Sequence, residues 1–246
     1  MPNEDPFVGG TEGYSLVITG NMNPAIHHPI WYKDIGALTD AELAETGAIP
    51  PKTAMDSGSA KPQGSAAVAQ IICTGVLSQF TSGKIRIICL PQTYTISTID
   101  RGLLPRMREV ASLVFQVLTH TPVTAYGFNF NVHCKTSVGS VGALLAQVID
   151  STQFELMRNS KAERIAKFAY TFSDQGRALS ISVEQSRYAP NMVFVGVNAH
   201  HPIKLPEGIR QFDLTPLLQE SMRKDSLDFE QILSKIMDIF KTGGGS

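Results

Sequence analysis

Residues 105–134, "PRMREVASLVFQVLTHTPVTAYGFNFNVHC", decide the fold class because they set a helix directly before a strand. Pro105 suits the first turn of a helix, where its fixed φ angle and missing N–H are tolerated. The apolar residues that follow recur at helical spacing and predict one buried stripe. Its members are Met107, Val110, Leu113, Val114, Val117 and Leu118. This helix is expected to pack on a sheet.

The strand that follows begins after Pro122, which ends the helix, and covers residues 123–134. Side chains alternate between the two faces of a strand, so its three aromatic residues lie together on one face. They are Tyr126, Phe128 and Phe130. Such an aromatic stripe is more often the core face of a sheet than an exposed surface.

Further segments along the chain are rich in β-forming residues, and short turns join several of them. Residues 81–84, "TSGK", are predicted as the hairpin turn between segments 66–76 and 84–90, and residues 173–178, "SDQGRA", as a second turn. Connections this short join antiparallel strands, whereas parallel strands need a long crossover. The remaining segments are 14–19, 92–99, the later part of 164–172, 179–186 and 191–199.

Helices are also predicted over residues 141–150, at the beginning of residues 164–172, which continue as a strand, and at three other places. Thr39 with Glu42 forms a capping box, so a short helix begins there. Two helices are expected to close the chain, one starting at Thr215 and one over residues 226–240. The second has its apolar residues on one face: Phe229, Ile232, Leu233, Ile236 and Phe240.

Together these elements predict an α+β fold of one domain, a large, mostly antiparallel β-sheet with helices packed on one face. The domain covers residues 1–240. Residues 47–65 are dense in Pro, Gly and Ser and are expected to form a flexible loop. Residues 241–246 end in "TGGGS", which is typical of an appended linker.

Composition excludes several classes of function. Of the 246 residues, 43% are hydrophobic and 17% are charged, which favours a globular protein over a disordered one. Lys+Arg number 21 against Asp+Glu 22, so there is no basic surplus for nucleic acid. Three cysteines without a CxxC pair favour a reducing compartment. With no apolar run long enough to span a bilayer and an acidic N-terminus unlike a signal peptide, a cytoplasmic protein is expected.

The tetrapeptide His-His-Pro-Ile occurs twice, at 27–30 and 200–203, and holds four of the six histidines. One interpretation is loop chemistry at strand ends, in which the imidazoles hydrogen-bond the backbone. The alternative is a zinc or other divalent metal site of a metal-dependent hydrolase or nuclease, because three imidazoles and a water make a catalytic zinc site. Its candidate ligands are His27, His28, His133, His200 and His201. Loop chemistry is favoured, since the helical ligand spacing of specific zinc motifs is missing.

Other sequence patterns give only weak evidence for catalysis or binding. His133 and Cys134 are neighbours in a strand and face opposite ways, so they cannot form a thiolate–imidazolium pair. Ser140 is predicted to cap a helix rather than to help hold an anion. A nucleic-acid-binding module is a third hypothesis, based on clustered cations at Arg106, Arg108, Arg158 and Lys161.

Three stretches carry a resemblance to a known family: "NPAIHHPIW", "LTHTPVTAYGFNFNVH" and "FDLTPLLQESMRKDSLDFEQIL". In their order along the chain they resemble a sporadically distributed family of prokaryotic proteins of unknown function, some of them encoded near mobile elements. The resemblance covers most of the chain and implies a bacterial or phage origin. It includes no catalytic signature and therefore assigns no site residue.

The leading hypothesis is a non-enzymatic, cytoplasmic binding or assembly protein that acts through protein–protein contacts and self-association. It rests on the lack of a convergent catalytic set, the balanced charge and the large apolar core. Trp31 and Tyr32 are the candidate binding residues, because aromatic side chains near a loop often dominate interfaces. The alternative for Trp31 is simple packing of the loop onto the sheet. No cofactor and no membrane are expected.

Overall fold

A computed structural model describes residues 13–48, 71–137, 139–142, 145, 167–174, 176–204 and 212–242. The chain divides into two compact units. The first unit comprises Tyr14–Gly127 and Pro202–Ser221, and the second comprises Met1–Gly13, Phe128–His201 and Met222–Ser246.

Among its described residues, the first unit holds five strands and the start of a sixth. They are β1 (Tyr14–Gly20), β2 (Ile72–Cys73), β3 (Ser78–Ser82), β4 (Ile85–Leu90), β5 (Thr93–Thr98) and the beginning of β6 (Val123–Lys135). Antiparallel pairing links β2 to β3, β3 to β4, β4 to β5 and β5 to β1. Side chains alternate as expected, and Leu16, Ile18, Tyr94 and Ile96 are fully buried.

In the part of the first unit that the structure describes, three α-helices lie wholly within it. They are α1 (Pro29–Asp34), α2 (Asp40–Glu45) and α3 (Leu104–Val117). The capping box of Thr39 and Glu42 is confirmed at the start of α2. Pro105 stands in the first turn of α3, also as predicted.

The second unit holds the rest of β6 together with β7 (Lys167–Asp174), β8 (Arg177–Gln185) and β9 (Met192–Pro202), of which His201 is the last residue in this unit. Strand β8 pairs antiparallel with both β7 and β9. Gly176 has a φ angle of 84° between β7 and β8, a left-handed conformation that glycine adopts without strain. The last helix, α4 (Thr215–Thr242), contributes its first residues to the first unit and the others to the second.

The predicted α+β class is confirmed. In the described part of the chain the strands form one nine-stranded antiparallel sheet in the order β2-β3-β4-β5-β1-β6-β9-β8-β7, and α3 and α4 pack against it. Tyr94 meets Phe115 of α3 with ring centroids 5.4 Å apart. Phe130 stacks on Phe229 of α4 at 4.9 Å. The helix-then-strand order of residues 105–134 therefore does build the sheet's core.

Strand β3 was not predicted. The turn at 81–84, with Gly83 at a φ angle of 55°, joins β3 to β4 rather than segment 66–76 to β4. The inward residues of β3 include Ser78 and Ser82, so its alternation is not one of apolar and polar side chains. Their hydroxyls donate to the carbonyls of His27 and Glu42 instead.

Two helix predictions were wrong in detail. The chain ends in one continuous 28-residue helix, α4, rather than in two helices. Asp225, just before the predicted start of the second helix at residue 226, lies inside α4 and is buried against Arg177. In α3 the buried face includes Ala111 and Phe115, whereas Val117 is exposed. The loop over 47–65, apart from residues 47 and 48, and the residues 243–246 lie outside the described residues.

Candidate functional site

The first His-His-Pro-Ile copy lies where a 3-10 turn (Pro24–Ile26) meets α1. His28 has the extended backbone expected before a proline, with φ −94° and ψ 143°. Its Nδ1 accepts a hydrogen bond from the N–H of Ile30 at 3.2 Å and so caps the helix. Pro29 occupies the first helical position. The prediction that imidazoles bond the backbone is confirmed for His28.

His27 turns the other way and is fully buried. Its Nδ1 lies 2.8 Å from the hydroxyl of Tyr32, and its ring contacts Trp31 and Tyr94 at centroid distances of 5.5 Å. Burial lowers the pKa of His27 to about 4. This imidazole is therefore neutral at physiological pH and belongs to an aromatic cluster.

Tyr32 has no exposed surface, and burial raises its pKa well above the usual value. It packs edge-on against Phe80 with ring centroids 5.0 Å apart. Trp31 is half-buried and contacts the rings of His27 and Tyr32. Of the two predicted binding residues, Tyr32 is thus a core residue in this structure, and Trp31 keeps part of its surface.

The second copy lies at the end of β9. His200 is exposed, whereas His201 is mostly buried and its Nε2 lies 2.7 Å from Oδ2 of Asp225. The other carboxylate oxygen of Asp225 pairs with Arg177 of β8, which also pairs with Asp228. This buried cluster joins β8 and β9 to α4 within the second unit. The His-His-Pro-Ile motif pointed to His201 alone, and no sequence pattern connected it with Arg177, Asp225 or Asp228, because these residues are far apart along the chain.

His133 lies in β6 in the second unit. Its Nδ1 is 2.8 Å from the hydroxyl of Ser186, and its ring packs on Tyr188 and Phe194. Across the described residues, no group of three or more His, Cys, Asp or Glu side chains is placed to hold a metal ion. The five candidate ligands have the separate surroundings described above. The metal-site alternative therefore gains no support.

The thiols are poorly suited to nucleophilic catalysis. Burial raises the pKa of Cys134 to about 11 and that of Cys89 to about 12. Both therefore stay protonated near neutral pH, and a thiol is a far weaker nucleophile than a thiolate. Cys73 is exposed, and its Sγ lies 3.5 Å from the carbonyl of Ala25.

Arg106 joins α3 to α2. Its guanidinium forks onto Glu42, with Nε to Oε1 at 2.9 Å and Nη2 to Oε2 at 2.7 Å, and it also reaches Glu109 and the carbonyl of Ala37. Burial alone would raise the pKa of Glu42, but hydrogen bonds from Arg106 and Thr39 lower it below the usual value. This cation is thus largely neutralised by acids, which makes it a poor phosphate-binding residue.

Arg108 lies on α3 beside a cleft and forms no ion pair with any described residue. Arg158 and Lys161, the remaining candidates for nucleic-acid binding, lie outside the described residues. Of the four predicted cations, Arg106 is in a structural ion pair and Arg108 lies beside a cleft. The other two are outside the described residues. The basic face proposed for nucleic acid is not assembled from Arg106 and Arg108.

A feature missed by sequence reasoning lies on β7, which is the last strand of the described sheet. Phe168, Tyr170 and Phe172 alternate along it with exposed fractions of 49%, 56% and 36%. Tyr170 and Phe172 have ring centroids 5.9 Å apart. We call these three residues the β7 aromatic stripe. The alternation was visible in "KFAYTF", but only the strand order shows that it lies at an edge.

Comparison with protein-family models finds no match, and comparison with curated protein sequences finds no significant relative. Within the described part of the chain, no helix combines the length and apolar character needed to cross a membrane.

Proposed function

We propose that this chain is a non-enzymatic assembly protein that forms a homodimer by pairing β7 of one copy with β7 of another. The observation that supports it is the exposed β7 aromatic stripe on an edge strand. Soluble proteins usually protect sheet edges with short strands, prolines or charges. The opposite edge, β2, has that protection because it is two residues long, whereas β7 has eight.

A second copy is the partner because the stripe is symmetric about its centre. Closed dimers have two-fold symmetry, so an edge that pairs with itself must be complementary to itself. In an antiparallel β7–β7 pair with the axis at Tyr170, the Tyr170 side chains of the two copies are neighbours. Phe168 of each copy then faces Phe172 of the other on the same side of the sheet. Aromatic cross-strand pairs of this kind each stabilise a sheet by roughly 0.2–1 kcal/mol.

The test is sedimentation of the full chain at several concentrations, with Tyr170→Lys and Leu227→Lys as matched variants. Leu227 is equally exposed, at 53%, but lies on α4. A lysine at Tyr170 places two like charges at the axis, so the dimer dissociation constant is expected to rise at least about tenfold. Leu227→Lys is expected to leave it unchanged. A monomeric wild-type protein, or equal effects of the two variants, would refute the proposal.

A cross-link tests the register. In a Cys73→Ser background, Tyr170→Cys is expected to form an intermolecular disulfide on mild oxidation, because residues facing each other across antiparallel strands meet the distance requirement. Thr171→Cys in the same background is expected to cross-link poorly, since its equivalent lies diagonally across the pair. Efficient cross-linking through Thr171 alone would place the axis elsewhere and contradict the proposed pairing.

The bacterial or phage origin and the cytoplasmic location remain part of this proposal. Both fit an assembly protein whose cysteines are free thiols. The metal-dependent hydrolase and the nucleic-acid module are not carried forward. The described candidate ligands are not grouped to hold a metal ion, and Arg106 is paired with Glu42 and Glu109.

A further inference from the structure

A cleft of about 530 Å³ lies between α3 and the first turns of α4, and all of its described lining belongs to the first unit. That volume lies in the range of sites for small molecules. The opposite face of α3, with Met107 and Val110, is buried and packs on the sheet. The lining face can therefore be polar without weakening the core.

Polar side chains line both walls of the cleft at helical spacing. Arg108, Ser112 and Gln116 recur every four residues along α3, and Thr215 and Gln219 are four apart on α4. Residues four apart lie on the same face of a helix. Two helices thus present polar side chains to one space.

Two hydroxyls in this lining have no hydrogen-bond partner among the described residues: Ser112 Oγ and Thr215 Oγ1. Both residues are more than nine-tenths buried, at 6% and 8% exposed. A buried hydroxyl without a partner costs about 1–3 kcal/mol, so such groups are normally satisfied. A bound molecule with acceptor oxygens would satisfy both.

The charge of the lining favours an anion. It contains two arginines and one acid, but Glu109 and Glu42 already neutralise Arg106. Arg108 is left, within the described lining, as a cation without an ion-pair partner. A guanidinium beside hydroxyl donors is well suited to phosphate or carboxylate oxygens.

We propose that this cleft binds a small organic molecule through an oxyanion group, phosphate or carboxylate, held by Arg108, Ser112 and Thr215. Gln116 and Gln219, both exposed at the cleft, hydrogen-bond the polar remainder of the ligand. The site lies on helices rather than on β7, so ligand binding and dimer formation can be tested independently.

The experiment is titration of the full chain with inorganic phosphate and, separately, with acetate, followed by NMR or calorimetry at constant ionic strength set with chloride. Arg108→Gln is expected to weaken binding about tenfold or more, since it removes a charge-assisted contact. Arg101→Gln is the matched control, because Arg101 lies just before α3 but does not line the cleft. Whichever anion binds more tightly identifies the group recognised.

Ser112→Ala separates binding from folding. Because the Ser112 hydroxyl has no partner, its removal is expected to leave the melting temperature unchanged or higher, while anion affinity falls roughly fivefold. Saturable binding that is lost in Arg108→Gln and weakened in Ser112→Ala supports the proposal. No saturable binding of either anion, or equal binding by Arg108→Gln and Arg101→Gln, overturns it.

Discussion

At residues 27–30 the tetrapeptide His-His-Pro-Ile leaves a 3-10 turn and enters a helix, whereas at 200–203 the same letters finish a strand. In the first copy a buried, neutral imidazole belongs to an aromatic cluster. In the second copy a histidine joins a buried group of charges. The histidines of the first copy lie in the first compact unit, and those of the second copy lie in the second.

We infer that the role of a His-His-Pro-Ile tetrapeptide depends on its neighbouring sequence and on its packing. Before the first copy, Asn23 caps the 3-10 turn, and after it Trp31 and Tyr32 continue the helix that Pro29 begins. Before the second copy, the run "MVFVGVNA" is strongly β-forming, and the strand that it begins continues through both histidines. Proline fits both places, since its φ angle suits a first helical turn and a strand end alike.

The largest effect is expected from the charged surroundings of the second copy. Asp225→Asn removes the carboxylate that bonds both Arg177 and His201, and the arginine stays buried. Breaking a buried pair in this way is expected to lower the free energy of unfolding by about 3–5 kcal/mol. Urea denaturation measures this.

Asp228→Asn is the matched control for that change. Asp228 pairs with the same arginine but its side chain is 28% exposed, against 0% for Asp225. A clearly smaller loss of stability is expected, because solvent screens this pair. Equal losses in the two variants would contradict the view that burial makes the second copy's cluster important.

The neutral surroundings of the first copy predict a pH effect of intermediate size. The pKa of His27 falls from 6.5 to about 4 on folding. Between these pH values the unfolded chain binds a proton on His27 that the folded protein does not bind. Stability is therefore lost as the pH falls through this window, by up to about 3 kcal/mol.

His27→Asn isolates that contribution, since asparagine keeps a polar group near the hydroxyl of Tyr32 without titrating. The difference in unfolding free energy between wild type and variant is expected to shrink as the pH falls from 6.5 to 4. If the two pH profiles of stability ran parallel, the buried neutral state of His27 would be disproved.

The smallest effects on stability are expected for the two remaining histidines, His28 and His200. His28→Ala removes a helix cap and is expected to cost about 1 kcal/mol of unfolding free energy. His200→Ala changes an exposed position and is expected to stay within about 0.5 kcal/mol of wild type. Thermal unfolding of both variants checks this order, and a larger loss for His200→Ala would reverse the comparison.

Much of the fold could be predicted because its signals are local. The capping box of Thr39, the proline at the start of α3 and the alternation of β5 and β6 each depend on residues close in sequence. Strand β3 was missed because two of its inward residues are serines, whose hydroxyls donate to the carbonyls of His27 and of Glu42 in α2. The break expected before residue 226 is absent, and Asp225 at that place is buried against Arg177, 48 residues away in the chain.

From the sequence alone, the α+β class, antiparallel hairpins and the apolar faces of the main helices could be predicted. These features depend on periodicity and turn chemistry, which act over a few residues. Only the tertiary structure decided the roles of individual side chains. It buried Tyr32 and His27, neutralised Arg106, left Arg108 beside a cleft and put the β7 aromatic stripe at an edge. These roles depend on contacts between residues far apart in the chain. A local sequence pattern does not show which strand lies at the sheet edge or which charged side chain forms an ion pair.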